Sequence, residues 1–130
     1  NQINYDFSIS EINFNGDREV NLKIKEKLNN YVLNKKNKTF RLRISSTSRK
    51  IIIAKDKAGD ATNFKIEITV DIEVLNNDDL KSNFVIIESF DYNNNSDKFE
   101  LKSYEREIKN NLSNTTSNKL ILRLSNIQWS

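Results

Sequence analysis

The chain has 130 residues, with 21 lysines and arginines against 18 aspartates and glutamates, giving a net charge of +3. It contains no histidine and no cysteine, which excludes Ser-His-Asp and Cys-His catalysis, disulfides and ordinary zinc sites. Gly16 and Gly59 are its only glycines, so there is no glycine-rich phosphate loop, and no apolar run approaches the roughly 18 residues of a membrane-spanning helix. The length is that of one domain, residues 1–130. The mild basic excess fits a well-solvated surface or an anionic partner.

In "INYDFSISEINFNG", Ile3, Tyr5, Phe7 and Ile9 alternate with polar residues, the period of a half-buried strand. Gly16 and Asp17 punctuate it. Asp17 is placed to cap a helix, with Glu19 at the positive end of the helix dipole. Val20, Ile24, Leu28, Tyr31 and Val32 then fall on one helical face of "DREVNLKIKEKLNNYVLNK", and "NKKNK" turns the chain.

Phe40, Leu42 and Ile44 alternate against Arg41 and Arg43, so the arginines belong to the wet face of the next strand. Alternation lapses at "SSTS", which predicts a bulge or bend near Ser45 to Ser48, and resumes at "IIIA". After the charged tip "AKDKAGDAT", Phe64, Ile66, Ile68, Val70, Ile72 and Val74 alternate without a fault against polar residues. "LNNDDLKSN" reads as a turn. In "FVIIESFDY" both Phe84/Ile86 and Val85/Ile87 are apolar, which predicts a central strand or one covered on both sides.

Asp97 or Ser96 is expected to cap the final helix, with Glu100 completing a capping box. Its apolar face is expected to run through Leu101, Tyr104, Ile108, Leu112, Thr115, Leu120, Leu124 and Ile127. Its centre, "NNLSNTTSN", is poor in helix formers and needs packing to hold it. The predicted fold is α+β: a two-layer sandwich in the order β-α-β-β-β-α, one four-stranded mixed sheet with two helices on one face. An exposed edge strand would leave the domain able to self-associate.

Residues that carry chemistry are few. The carboxylate pairs Asp56/Asp60 and Asp78/Asp79 lack calcium-loop spacing and read as loop solvation. Ser48 and Lys50 share a strand face beside solvent without demanding catalysis. No enzymatic activity, metal or cofactor is expected. The candidate contacts are basic. Arg41 and Arg43 lie on the uncovered sheet face, and Arg49, Lys50, Lys55 and Lys57 lie toward the hairpin tip. There they would meet phosphate or sulfate groups through charge-assisted hydrogen bonds. Nucleic acid is disfavoured, because Phe40, Phe64 and Phe84 fit the core period instead of forming a stacking platform.

Two stretches carry a resemblance. "SRKIIIAKDKAGDATNFKIEITVDIEVL" resembles the second and third strands of the lipopolysaccharide-assembly lipoprotein family, LptE, around a charged tip. "ESFDYNNNSDKFELKSYEREIKNNLSNTTSNKLILRLSNI" resembles its fourth strand, turn and final helix. The resemblance spans about Tyr5 to Ile127. It implies an outer-membrane lipoprotein on the periplasmic side of a Gram-negative cell, plugging the LptD β-barrel and helping to pass lipopolysaccharide to the surface, without enzymatic activity. It implies lipopolysaccharide contacts at or beside Lys55, Lys57 and Lys102, added to Arg49 and Lys50. Asp56, Gly59, Asp60, Arg41 and Arg43 become candidate contacts with the barrel. The family's lipid-bearing cysteine is not among these residues, so the resemblance implies an anchor that precedes Asn1. The alternative is a periplasmic or secreted α+β module for another anionic ligand or protein partner.

Overall fold

The computed structural model describes residues 7–32 and 38–127. The elements are β1 (Phe7–Gly16), α1 (Arg18–Val32), β2 (Lys38–Lys55), β3 (Ala61–Asn76), β4 (Asp79–Asn93) and α2 (Lys98–Ser125). Ile3, Tyr5 and residues 34–37 lie outside the described residues. The sheet order is β1-β2-β3-β4. β1 and β2 are parallel, joined through α1 as a parallel pair requires, and the remaining pairs are antiparallel hairpins. This is the expected α+β fold, with both helices packed on one face of the sheet around one core.

The core follows the alternation. Phe40, Leu42 and Ile44 of β2, Phe64 to Val74 at every second position of β3, and Phe84 and Ile86 of β4 are buried against Val20, Ile24 and Leu28 of α1 and Leu101, Ile108, Leu120 and Leu124 of α2. Each such side chain contributes about 1.5–3 kcal/mol on leaving water. Tyr31 stacks flat on Phe7, with ring centroids 4.6 Å apart. Val32, expected on the same face, is exposed at the helix end.

The "SSTS" lapse is not a bulge. The β2–β3 register runs unbroken from Arg41↔Leu75 to Ile52↔Phe64, and its shifts lie beside the tip, around Ala54. Ser46 occupies an inward slot and is fully buried, because the corner between β1 and α1 closes over it. Gly16 pairs with Ser46, Asp17 N–H donates to the Ser46 carbonyl at 3.0 Å, and Ser46 Oγ donates to Asn21 Oδ1 at 2.7 Å. Asn21 Nδ2 donates in turn to the Asn15 carbonyl at 3.1 Å. A larger apolar side chain at Ser46 would leave these buried polar groups unsatisfied. Asp17 is the cap of α1, accepting from Val20 N–H at 3.0 Å.

β4 is an edge strand, not a central one. Val85 and Ile87 point to the face the helices leave open and are 50% and 59% exposed. The β3–β4 turn contracts to two residues, Asn77 (φ 50°) and Asp78 (φ 69°), between the paired Asn76 and Asp79. Left-handed backbone at both central positions matches the strand twist, and Asn and Asp tolerate it.

α2 runs unbroken through its polar centre. Ser113, Thr116 and Ser117 are buried there, and their hydroxyls donate to the carbonyls of Lys109, Leu112 and Ser113 at 2.8, 2.9 and 2.8 Å. Lys109, one turn before Ser113, reaches Asp17 at 2.8 Å and Glu19 at 3.3 Å, which marks this as the side of α2 turned toward α1. Short hydroxyl side chains that satisfy themselves on their own helix let the helices close up. Thr115 and Tyr104, expected on the buried face, are exposed, and Ile127 packs on the core from beyond the helix end. Burial alone would raise the Asp17 carboxyl. The hydrogen bond and charge of Lys109 and the amides of Val20 and Glu19 outweigh that and hold it below the ordinary aspartate value.

Candidate functional site at the hairpin tip

β1 stops pairing with β2 at Ser46, so from Thr47 onward β2 has β3 as its only paired strand. From Ile52 to Asp60 every residue of the hairpin is exposed. The tip is a three-residue loop. Asp56 N–H donates to the Asp60 carbonyl at 2.9 Å, and Gly59 N–H donates to the Asp56 carbonyl at 3.1 Å, with Gly59 at φ +90°. This is a type I turn followed by a left-handed glycine, which explains the missing Asn-Gly signal. The Asp56 carboxylate accepts from Ala58 N–H at 2.9 Å and Asp60 N–H at 3.0 Å. Asp56 therefore organises the loop from within. Replacing it with alanine is expected to speed amide hydrogen exchange at Ala58 and Asp60 while leaving the core strands protected, which exchange measured by NMR will test.

The candidate cations separate into two groups. Arg41 is paired with Asp78 at 2.7 Å, Arg43 with Glu73 at 3.3 Å, and Arg49 with Glu67 at 3.1 Å. The last two are cross-strand pairs between residues directly opposite in register. All three arginines lie on the open sheet face rather than at the tip. Lys55 and Lys57 are exposed at the tip and belong to none of the ion pairs among the described residues. Ile52 and Ile53, just before them, are also exposed. An apolar band followed by a cationic end is the surface an anionic amphiphile would fit.

Lys50 and Lys102 belong to a hub the sequence did not announce. Lys50 sits 2.8 Å from Glu105 Oε2, and its ammonium lies 4.1 Å from the Phe64 ring centroid. Tyr92 donates its hydroxyl to the same carboxylate oxygen at 2.6 Å. The Tyr92 ring contacts Phe64 at 5.7 Å and meets Tyr104 edge-on at 6.0 Å. Lys102, one turn before Glu105, adds its positive charge. Burial pushes the Glu105 carboxyl up, but the hydrogen bonds of Lys50 and Tyr92 and the charges of Lys50 and Lys102 win and hold it below the ordinary glutamate range. Tyr92 is pushed upward by burial and by its bond to Glu105. The hub ties four elements together, β2, β3, β4 and α2, and fixes the hairpin against the first turns of α2.

That end of α2 is capped by Asp97, which accepts from Phe99 N–H at 3.0 Å and Glu100 N–H at 3.1 Å. The reciprocal bond of a capping box is absent. Glu100 accepts from Asn95 Nδ2 at 3.2 Å, and Asn95 Oδ1 receives the Asp97 N–H at 2.9 Å. Asn94 holds this turn to β3 directly behind the tip, donating through Nδ2 to the Ala61 carbonyl at 2.9 Å and through its backbone N–H to the Thr62 carbonyl at 2.8 Å. Between β4 and α2 lies an open groove of about 630 Å³, lined by Phe90, Tyr92, Leu101 and Tyr104 and by the polar residues 93–96 of the turn. Phe99 is 83% exposed on the first turn of α2. Phe90 and Phe99 are exposed aromatics the period of the sequence does not reveal. Among the described residues no group of three or more acidic side chains is placed to hold a metal.

No family model and no curated protein matches the chain. Solved structures do. It superposes on rare lipoprotein B from Shewanella oneidensis with a TM-score of 0.56 at 14% identity, over 87% of this chain and 98% of that one. A minor lipoprotein from Acinetobacter baumannii gives 0.58 at 12% identity, over 91% and 92%. An uncharacterized lipoprotein B from Nitrosomonas europaea gives 0.60 at 9% identity, over 91% and 86%. The chain has a bacterial lipoprotein fold. Identities this low speak for the architecture alone, and fold by itself does not fix function.

Proposed function

We propose that the chain is the folded part of a non-enzymatic outer-membrane lipoprotein, anchored on the periplasmic side, that plugs an LptD-type β-barrel and assists lipopolysaccharide assembly. The observation that carries this reading is the exposed tip of the β2–β3 hairpin. Its exposed Ile52 and Ile53 lead to Lys55 and Lys57, cations engaged in no ion pair among the described residues. Lipid A combines acyl chains with phosphates, and an apolar band ending in ammonium groups complements both. Lys102 is the third contact in this reading, beside the hub at the start of α2. Lys50 and Arg49 are supporting contacts, which would have to exchange Glu105 and Glu67 for phosphate. Asp56, Gly59 and Asp60 shape the tip that meets the barrel lumen, and Arg41 and Arg43 present the open sheet face to its wall. The lipoprotein fold supports this reading, and the loop geometry supports a rigid rather than a flexible end.

The test is capture of outer-membrane proteins and purified lipopolysaccharide by the chain and by Lys55→Ala/Lys57→Ala. The original chain is expected to retain a large barrel protein and the lipid. The variant is expected to keep its unfolding midpoint and the barrel and to lose the lipid. Capture of neither by the original chain would overturn the reading and leave a module for another anionic ligand. Binding of nucleic acid that falls steeply with log salt would point elsewhere altogether.

A further inference from the structure

β4 is paired on one side only, and its outer edge is unusually regular. Its register with β3 runs without a break from Ser82↔Val74 to Asn93↔Asn63. Edge strands ordinarily protect themselves with proline, bulges or lysines. The chain has no proline, the only bulge in β4 lies before Ser82, and the segment "SNFVIIESF" carries one charge, Glu88, which faces the helices and is bound by Lys119 of the same chain. On the open face of this strand Val85 and Ile87 are 50% and 59% exposed.

We propose that the occupant of this edge is a second copy of the chain, joined antiparallel through β4 to make a continuous eight-stranded sheet. Two-fold pairing keeps each side chain on its own face, so the registers open to it differ by steps of two. The register with Ile86 opposite Ile86 is self-complementary. On the open face Val85 meets the second copy's Ile87, and Asn83 meets its Ser89. On the helix face the second copy's Glu88 comes opposite Phe84, whose ring carries the Arg123 guanidinium at 4.2 Å. Each close pair of opposite partners adds to the backbone bonds that complete the strand edge. A shift of one step either way sets Val85 against Ser89 or Ile87 against Asn83. Because the strands are antiparallel, the two hairpin tips end at opposite ends of the shared sheet.

The test is sedimentation equilibrium over a range of concentrations, with circular dichroism to confirm folding. The mass is expected to rise toward twice the 15.2 kDa of the chain. Ile87→Lys is expected to weaken the pair by about tenfold, since the substitution acts twice across the two-fold axis. Val85→Glu/Ile87→Lys sets opposite charges face to face and is expected to restore it. As the chain has no cysteine, a mixture of Val85→Cys and Ile87→Cys chains is expected to cross-link, more readily than either alone. A mass that stays at one chain at all concentrations overturns the proposal. So does an Ile87→Lys chain that pairs as before, a folded Val85→Glu/Ile87→Lys chain that does not pair, or a mixture of the two cysteine chains that cross-links no better than either alone.

Discussion

Replacing Gly16 with alanine is expected to cost about 4 kcal/mol or more of unfolding free energy, at the upper end of what single substitutions do. Two separate effects add. Gly16 has φ +102°, a backbone conformation that strains any L side chain by about 1–2 kcal/mol. In addition, an alanine Cβ would sit 2.0 Å from the carbonyl oxygen of Ser46 and 2.9 Å from its amide nitrogen. Neither atom can give way cheaply. The carbonyl accepts the Asp17 N–H that starts α1, and Ser46 Oγ holds the buried Asn21. The strand pair, the helix cap and the buried corner must all shift together. Gly59 provides the control. It is also left-handed, at φ +90°, but an added Cβ there meets nothing within 4 Å. Gly59→Ala is expected to cost only the backbone term, about 1 kcal/mol. Urea unfolding of the two variants beside the original chain separates the effects, and equal losses at both positions would sink the steric account.

Much of this fold is legible in the sequence because one side of the sheet is wet. Phe64 to Val74 alternate against lysine, glutamate, threonine and aspartate, and every apolar member is buried. The Asp17 and Asp97 caps are legible because capping is a local bond. What is not legible depends on partners far away in the chain. Ser46 looks like a lapse until Gly16 is seen against it. Val85 and Ile87 look like a strand covered on both faces, since a hydropathy pattern cannot tell a neighbouring layer from an unoccupied edge. Ser113, Thr116 and Ser117 look too polar for a helix interior, because their bonds to their own helix leave no mark on composition. The basic residues at the tip are visible, but not their division. Whether a cation is committed or available is decided across strands, by Glu67 opposite Arg49 and Glu73 opposite Arg43. The one sequence signal of the hub is Lys50 itself. It lies on the helix-facing side of β2 between Ser48 and Ile52, yet its side chain is 44% exposed, so the pattern alone does not reveal that it meets an acid from another element.

That acid is Glu105, and its loss is expected to be the most damaging change at the candidate site. Glu105→Ala removes the acceptor of the Tyr92 hydroxyl and the counter-charge of Lys50 in one step. Hydrogen bonds to charged groups contribute about 1.5–3 kcal/mol, and the Tyr92 hydroxyl left without its acceptor is half-enclosed beneath α2. The expected loss is about 2–3 kcal/mol, since the Glu105 side chain is only 17% exposed and solvent screens it weakly. Glu105→Gln keeps the shape and an acceptor, and is expected to lose roughly half as much. The pH dependence distinguishes charge from packing. The folded Glu105 carboxyl lies below the ordinary value of 4.5, so the stability it contributes is complete above that pH and is lost as pH falls through the folded value. The gap between the original chain and Glu105→Gln should therefore be widest near neutrality and close below about pH 4.5. Tyr92 gives the opposite sign. Its ionisation is raised above 10.0 in the folded chain, so stability falls as pH rises beyond that value. Burial is the largest cause of that shift, followed by the hydrogen bond and the charge of Glu105, so the alkaline slope should shrink in Glu105→Gln without vanishing. The Asp17–Lys109 pair, one turn further along α2, leaves an acid slope of its own in either variant, because Asp17 too is held below the ordinary aspartate value. If Glu105→Gln instead destabilises equally at every pH, the carboxylate holds the hairpin to α2 by shape alone. The lysines around it, Lys50 and Lys102, are then as free to meet an anion as those at the tip.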